Sequence, residues 1–196
     1  MMLQVNYNPI EDKFKIKPIN LINSVILDTE TTGLGNQDDI CEITVIDAET
    51  SEPIINTLIK PKHSIPEDVI RIHGISNNMV SDAPDYSSIH KDLQSLFKEK
   101  NVIIYNASFD LRMIQQSALK YRLTPLRAHS VICAMKWYAE YYGQWNYSRD
   151  TFKWQRLCYA AEQQDIDIHD LTAHRALDDC KITQRLIKKV NKKLGD

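Results

Sequence analysis

Apolar and polar positions follow two periods along this chain, and the switching between them divides it into strands and helices. Val25-Ile26-Leu27 leads an apolar run over 24–30, Ile40 to Ile46 is a second, and Ile54 to Ile59 a third. Runs rich in β-branched residues predict strands. The polar link from Asp47 to Pro53 is short enough for a hairpin, so this side of the sheet is expected to be antiparallel. Two short helices are expected near Pro66–His73 and Ser76–Ser81, the first with Pro66 in its first turn. Ile89, Leu93, Leu96 and Phe97 recur at the spacing of an amphipathic helix. That helix leads into Val102–Tyr105, a short apolar run that reads as a buried parallel strand. The next helix carries Leu111, Ile114 and Ala118 on one face, and Ser130–Cys133 reads as a fifth strand. Helices are predicted over Ala134–Tyr142 and Phe152–Gln163. A last helix has Leu177, Cys180, Ile187, Val190 and Leu194 on its inner stripe.

Three strands followed by alternating helix and strand predict an α/β domain with a mixed five-stranded sheet flanked by helices. Sites in such sheets form at the carboxyl ends of the parallel strands. Residues 1–23, with Pro9, Pro18 and weak periodicity, read as an N-terminal arm with an edge strand around Phe14 to Ile16. The domain itself is expected to span 24–196.

Composition narrows the chemistry. With 43% hydrophobic and 26% charged residues, the 196-residue chain is that of an ordinary globular domain. No apolar run approaches membrane-spanning length. Cys41, Cys133, Cys158 and Cys180 are scattered without a CxxC pair, which argues for a reducing cytoplasmic setting and against a zinc or disulfide framework. A net charge of −2 disfavours a protein that grips long duplexes through many phosphates.

Candidate chemistry lies in three clusters. The first strand ends in Asp28-Thr29-Glu30, followed by the turn Thr31-Thr32-Gly33-Leu34. Residues two apart in a strand share a face, so Asp28 and Glu30 project together. Two adjacent carboxylates raise each other's pKa unless a cation joins them, which suggests hard divalent metals. The second cluster, Asn106-Ala107-Ser108-Phe109-Asp110, stands at a strand-to-helix turn. The third, His174-Arg175-Ala176-Leu177-Asp178-Asp179, opens the last helix.

Taken together, DxE, NxxxFD and HxxxxD in this order resemble the three exonuclease motifs of the DEDDh family, the DnaQ-like 3′→5′ exonucleases with an RNase H-like fold. The resemblance runs from about Ser24 to the C-terminal end and includes the Thr-Thr-Gly-Leu turn and Ile72-His73-Gly74-Ile75-Ser76. It implies that Asp28, Glu30, Asp110 and Asp179 hold two Mg²⁺ or Mn²⁺ ions. His174 would be the general base, a task suited to a side chain that titrates near neutrality. The family's spacing selects Asp179 over Asp178, which stands as the fallback, and requires His174 to come from the lead-in loop or first turn. Cys180 departs from the family, where Ala is more usual.

The resemblance further implies that backbone groups at Thr31 meet the terminal 3′-OH and that Leu34 wedges between the last two bases. Asn106 either orients the site or only caps its helix, and His73 either borders the terminal nucleotide or packs the loop. Half of the sixteen aromatics fall in 137–154, with Arg149, Lys153 and Arg156 among or beside them, a pattern suited to stacking on single strands. Trp145 and Tyr147, in the expected loop, are its best candidates. The basic run from Lys181 to Lys193 reads as a solvated helix face.

The reading is a metal-dependent exonuclease that releases nucleoside 5′-monophosphates from single-stranded or frayed 3′ ends, with DNA favoured and RNA possible. The competing readings are an exoribonuclease and a mainly non-catalytic subunit bound to a polymerase.

Overall fold

The computed structural model describes residues 16–195. Its main sheet has the order β3-β2-β1-β4-β5. β1 (Ser24–Thr31), β2 (Ile40–Asp47) and β3 (Pro53–Leu58) form an antiparallel meander. β4 (Asn101–Ile104) and β5 (Ser130–Cys133) continue parallel to β1. The sheet is therefore mixed and five-stranded, as the periodicity requires. The expected edge strand around Phe14–Ile16 lies largely outside the described residues.

The alternation of side chains in β1 sets up everything else. Val25 and Leu27 face one core, with residues of α2 (Tyr86–Glu99) and α3 (Ala107–Lys120). Ile26 faces the other, with residues of α4 (Ala134–Tyr142), α5 (Leu157–Gln163) and α6 (Ala176–Leu194). Both faces are covered, which is why β1 is apolar on consecutive positions rather than alternate ones. Asp28 and Glu30 continue the Ile26 side, towards α6, whereas Thr29 continues the Leu27 side, towards α3. Cys180 is buried against the backbone of Ile26 and Thr44, so the larger side chain is accommodated in the α6–sheet contact.

Two helix expectations need correction. Only the first of the two short helices forms, as α1 (Glu67–His73), ending at Gly74 with φ 73°. Residues 76–81 instead make successive turns closed by i→i+3 bonds, from Met79 N to Ser76 O and from Ser81 N to Asn78 O. The Asn77 side chain bonds both the N–H and C=O of Ile65, which fixes this stretch against the preceding loop. The helix expected over 152–163 begins only at Leu157. Thr151–Phe152 form a strand, β7, paired with β6 (Trp145–Asn146). Edge-on packing of Trp145 on Phe152, 4.9 Å between centroids, and the bond from Lys153 N to Gln144 O draw these residues into a hairpin.

The described part of the arm is docked rather than free. Asn191 of α6 clasps both backbone groups of Ile19, and Trp137 Nε1 donates to Lys17 O.

Candidate active site

The three clusters meet at the carboxyl ends of β1 and β4. Asp110, in the first turn of α3, is buried, and its Oδ1 accepts from Thr29 N at 3.1 Å and Thr29 Oγ1 at 2.8 Å. The central residue of Asp-Thr-Glu thus binds the acid of the second cluster while its neighbours face α6. Ligand atoms of Glu30, His174 and Asp179 lie within 4.8 Å of one another. Asp28 feels the charges of Asp110, Asp179 and Glu30.

His174 stands outside α6, with φ 63°, a left-handed conformation uncommon for a side chain larger than Gly. This kink lets its backbone hydrogen-bond Asp179 and brings the imidazole back over the acids. The register of α6 also separates the two acids that follow. The Asp178 carboxylate accepts from Thr172 N at 3.0 Å and pairs with Lys181 at 3.6 Å, so it serves the lead-in loop. Asp179 Oδ1 is buried and has no protein partner.

Four carboxyls share this space at a cost. Burial pushes Glu30 up to about 8, and the neighbouring acids Asp179, Glu42 and Asp110 add to the shift. Burial pushes Asp110 up to about 7, against the opposing hydrogen bonds from Thr29. Asp179 rises to about 7, again chiefly through burial, and Asp28 rises well above the usual carboxylate range for the same reason. Acids kept this close and dry need a positive charge, and the lone buried oxygen of Asp179 points to the same need. The donor set, carboxylate oxygens with one imidazole, fits a hard divalent cation.

The RNase_T exonuclease family model matches residues 25–187, nearly the whole described chain. The chain belongs to this exonuclease family. A protein of Escherichia phage 186 named "Uncharacterized exonuclease CP81" is 41% identical over 169 residues, covering 83% of this chain and 85% of that protein. DNA polymerase III subunit epsilon of Buchnera aphidicola is 36% identical over 101 residues, covering 47% of this chain and 43% of the subunit. Among solved structures, Exonuclease X in complex with 5′ overhanging duplex DNA has 26% identity and a TM-score of 0.63, covering 86% of this chain and 91% of that one. E. coli Exonuclease I bound to a dA16 oligonucleotide shares the fold, with a TM-score of 0.67 at 19% identity; the match covers 87% of this chain and 42% of that one. The DnaQ-like, RNase H-like architecture of these exonucleases is the one described above.

The remaining expected residues of this exonuclease site differ in their setting. Leu34 is 79% exposed, on a loop whose carbonyls are gripped by α3. Arg112 donates to Leu34 O and Gly35 O, Gln116 to Asp38 O, and Lys120 to Gln37 O and Asp38 O. These three lie at i, i+4 and i+8, on one face of the helix. A Cβ at Gly33 would stand 2.6 Å from Asp38 Oδ2, so a larger residue there would displace the Asp38 carboxylate from its bonds to Thr32 Oγ1 and Gly35 N. Thr31 is buried, with Oγ1 bonded to Gly33 O. Asn106 occupies the N-cap position of α3 without a side-chain capping bond; its Oδ1 accepts from Ser108 Oγ.

His73 is buried, and its Nδ1 accepts from Ile75 N at 3.0 Å. An accepting Nδ1 leaves the proton on Nε2, which faces Cys41 Sγ and the Thr31 backbone. Burial lowers the His73 pKa, consistent with a neutral ring that props the Thr31 turn. Trp145 is half-buried in its hairpin.

Sequence reasoning missed Glu42 and Arg175. Glu42 is the cross-strand partner of Glu30 and is buried, 133 residues from the Arg175 that neutralises it. A buried acid in a β-branched strand was a signal, but its partner was not legible.

Proposed function

We propose that this chain is a 3′→5′ exonuclease that hydrolyses the terminal phosphodiester of single-stranded or frayed DNA and releases nucleoside 5′-monophosphates. The observation that carries the reading is the convergence of one buried acid, Asp110, three half-buried ones, Asp28, Glu30 and Asp179, and one exposed histidine where β1, α3 and α6 meet. Asp28, Glu30, Asp110 and Asp179 would hold two Mg²⁺ or Mn²⁺ ions. When bound, such ions offset the carboxylate charge and stabilise the negative charge that develops on the phosphoryl group.

The protein's own groups supply the rest. His174 takes a proton from the attacking water as its oxygen bonds to phosphorus; the bond from phosphorus to the 3′ oxygen then breaks, and that oxygen is protonated. The left-handed backbone at His174 is what holds the imidazole above the acids. Backbone groups of the Thr31 turn would meet the terminal 3′-OH, and Leu34 would insert between the last two bases, as apolar wedges do elsewhere. DNA is favoured over RNA because Exonuclease X, a structural neighbour at 26% identity, is bound to DNA. The relatives named as polymerase epsilon subunits make a polymerase a partner to test rather than an alternative to catalysis. The four cysteines are unpaired, which supports a reducing cytoplasmic setting.

Matched DNA and RNA oligomers labelled at the 5′ end, incubated with Mg²⁺ or with EDTA, test the proposal. Shortening of the DNA ladder from the 3′ end in Mg²⁺ alone is expected. Cleavage of a closed circular single strand, or full activity in EDTA, would overturn it.

A further inference from the structure

The hairpin that displaced the expected helix creates a cleft of about 440 Å³ between β6–β7 and the start of α5. Arg149, Lys153 and Arg156 line it, together with the rings of Phe152, Trp154 and Tyr159. Among the described residues no carboxylate lines it, although the chain carries 26 acidic residues. Among the described residues its three cations make no ion pair, in contrast to Lys120, Arg175 and Arg185, which are each held by an acid. The basic C-terminal helix is likewise engaged: Lys188 donates to Glu49 O and Lys193 to Gln164. Trp154 is 52% and Tyr159 55% exposed, so two aromatic side chains stand open to solvent at the cleft.

The cleft is fixed to the acid cluster. Tyr105, directly after β4 and before Asn106, donates its hydroxyl to Gln155 O at 2.9 Å. A strand whose 3′ end lies among the acids therefore has this cleft beside it.

We propose that the cleft is a second nucleotide site, which binds single-stranded DNA upstream of the terminal nucleotide. Trp154 and Tyr159 provide stacking faces, and Arg149, Lys153 and Arg156 receive the phosphates. Unpaired cations interleaved with exposed rings bind single strands without reading sequence. The role expected of Trp145 thus passes to Trp154, since the Trp145 ring is turned onto Phe152. The inference rests on the exonuclease reading for its polarity but not for its binding, so the two can fail separately.

The test compares a dT twenty-mer with a dT dinucleotide, whose only phosphodiester is the one hydrolysed at the acids, so that none is left for the cleft. For Trp154→Ala the ratio of the two KM values should rise about 5- to 150-fold, the range for removing one stacking ring. The double variant Lys153→Glu, Arg156→Glu keeps the rings, is confined to exposed positions, and should flatten the salt dependence of binding by roughly 0.7 in slope per lost phosphate contact. Anisotropy of a labelled twenty-mer in EDTA reads binding without hydrolysis. If neither variant weakens that binding or changes the KM ratio, the cleft is not a nucleotide site. Preference for a duplex over the single strand would also overturn the proposal. A wild-type protein that binds the twenty-mer at the cleft but cuts nothing would instead overturn the exonuclease reading.

Discussion

Arg175 closes on Glu42 through two bonds, Nη2 to Oε1 at 2.6 Å and Nε to Oε2 at 3.2 Å, and the same carboxylate accepts the Ala176 amide at 2.9 Å. Glu42 stands directly across the β1–β2 ladder from Glu30, where like charges destabilise a sheet. The guanidinium lessens that conflict without removing it, and fixes the start of α6, one residue after His174. Arg175→Ala leaves Glu42 buried and unpaired, at a cost of about 3 kcal/mol, the low end for such pairs because Arg175 is partly exposed. Thermal melts should show the loss, and kcat should fall with it as His174 loses its anchor. Glu42→Gln retains an acceptor for Ala176 and should lose less of both. Equal melting temperatures for Arg175→Ala and wild type would show that the pair does not hold α6.

The crowded acids predict an inverted pH response in the absence of metal. Burial and mutual repulsion raise Glu30 to about 8 and Asp110 and Asp179 to about 7 in the native state. In the unfolded chain these groups return to about 4. The native state therefore holds their protons more tightly. The stability they contribute is full below pH about 4 and is lost as pH rises through about 7–8. In EDTA the protein should melt lower at pH about 8.5 than at about 5.5, and Mg²⁺ should remove most of the difference. Asp28→Asn should raise the EDTA melting temperature at the higher pH and abolish hydrolysis. A metal-free protein that grew more stable over that range would contradict the shared-acid description.

His174 and the two acids after it can be told apart by Mg²⁺ titration of kcat. Loss of a general base costs roughly 10²–10⁴ in rate. His174→Ala should lower kcat by that order and leave the Mg²⁺ midpoint in place. Asp179→Ala should damage both, because its unpartnered oxygen faces the cluster. Asp178→Ala should spare both, since its carboxylate is bound to Thr172 N. A shifted midpoint in His174→Ala would make the imidazole a ligand.

Much of this was legible from short-range rules. The period of two in β1 predicts that Asp28 and Glu30 share a face, and the exonuclease spacing predicts Asp110 and Asp179. The left-handed His174 is the local device that makes Asp179 rather than Asp178 the inward acid. What could not be read depends on pairing across the fold. Glu42 and Arg175 are far apart in sequence, and the face of Arg112, Gln116 and Lys120 looks like any solvated helix surface until a loop lies on it. Residues 152–156 have helix-compatible spacing, but the cross-strand contact of Trp145 with Phe152 outweighs it.

That contact gives a prediction of its own. Edge-on aromatic pairs contribute about 0.5–1.5 kcal/mol beyond their buried area. Trp145→Ala should therefore destabilise the hairpin by at least that amount, whereas Trp145→Phe should recover most of it. Hydrogen exchange of the Lys153 amide, bonded to Gln144 O, is the local readout. Unaltered exchange in Trp145→Ala would show that the ring is not what closes the hairpin.

Leu34 presents a large apolar side chain to solvent on a loop that α3 holds by its carbonyls. An exposed side chain contributes little to stability, so Leu34→Ala should change it by no more than about 0.5 kcal/mol. If the side chain wedges between terminal bases, the same substitution should raise KM for single-stranded DNA. Arg112→Ala leaves Leu34 itself intact but removes the bonds to the carbonyls of Leu34 and Gly35. Its KM should rise in the same direction because the wedge is no longer held in place. Arg112→Lys, which keeps one donor within reach, should fall between them. The two single effects should not add in the Leu34→Ala, Arg112→Ala double variant, because a loop without its wedge gains nothing from being held. Additive effects on KM would assign Arg112 a contact of its own with the DNA, and an unchanged KM in Leu34→Ala would remove the wedge altogether.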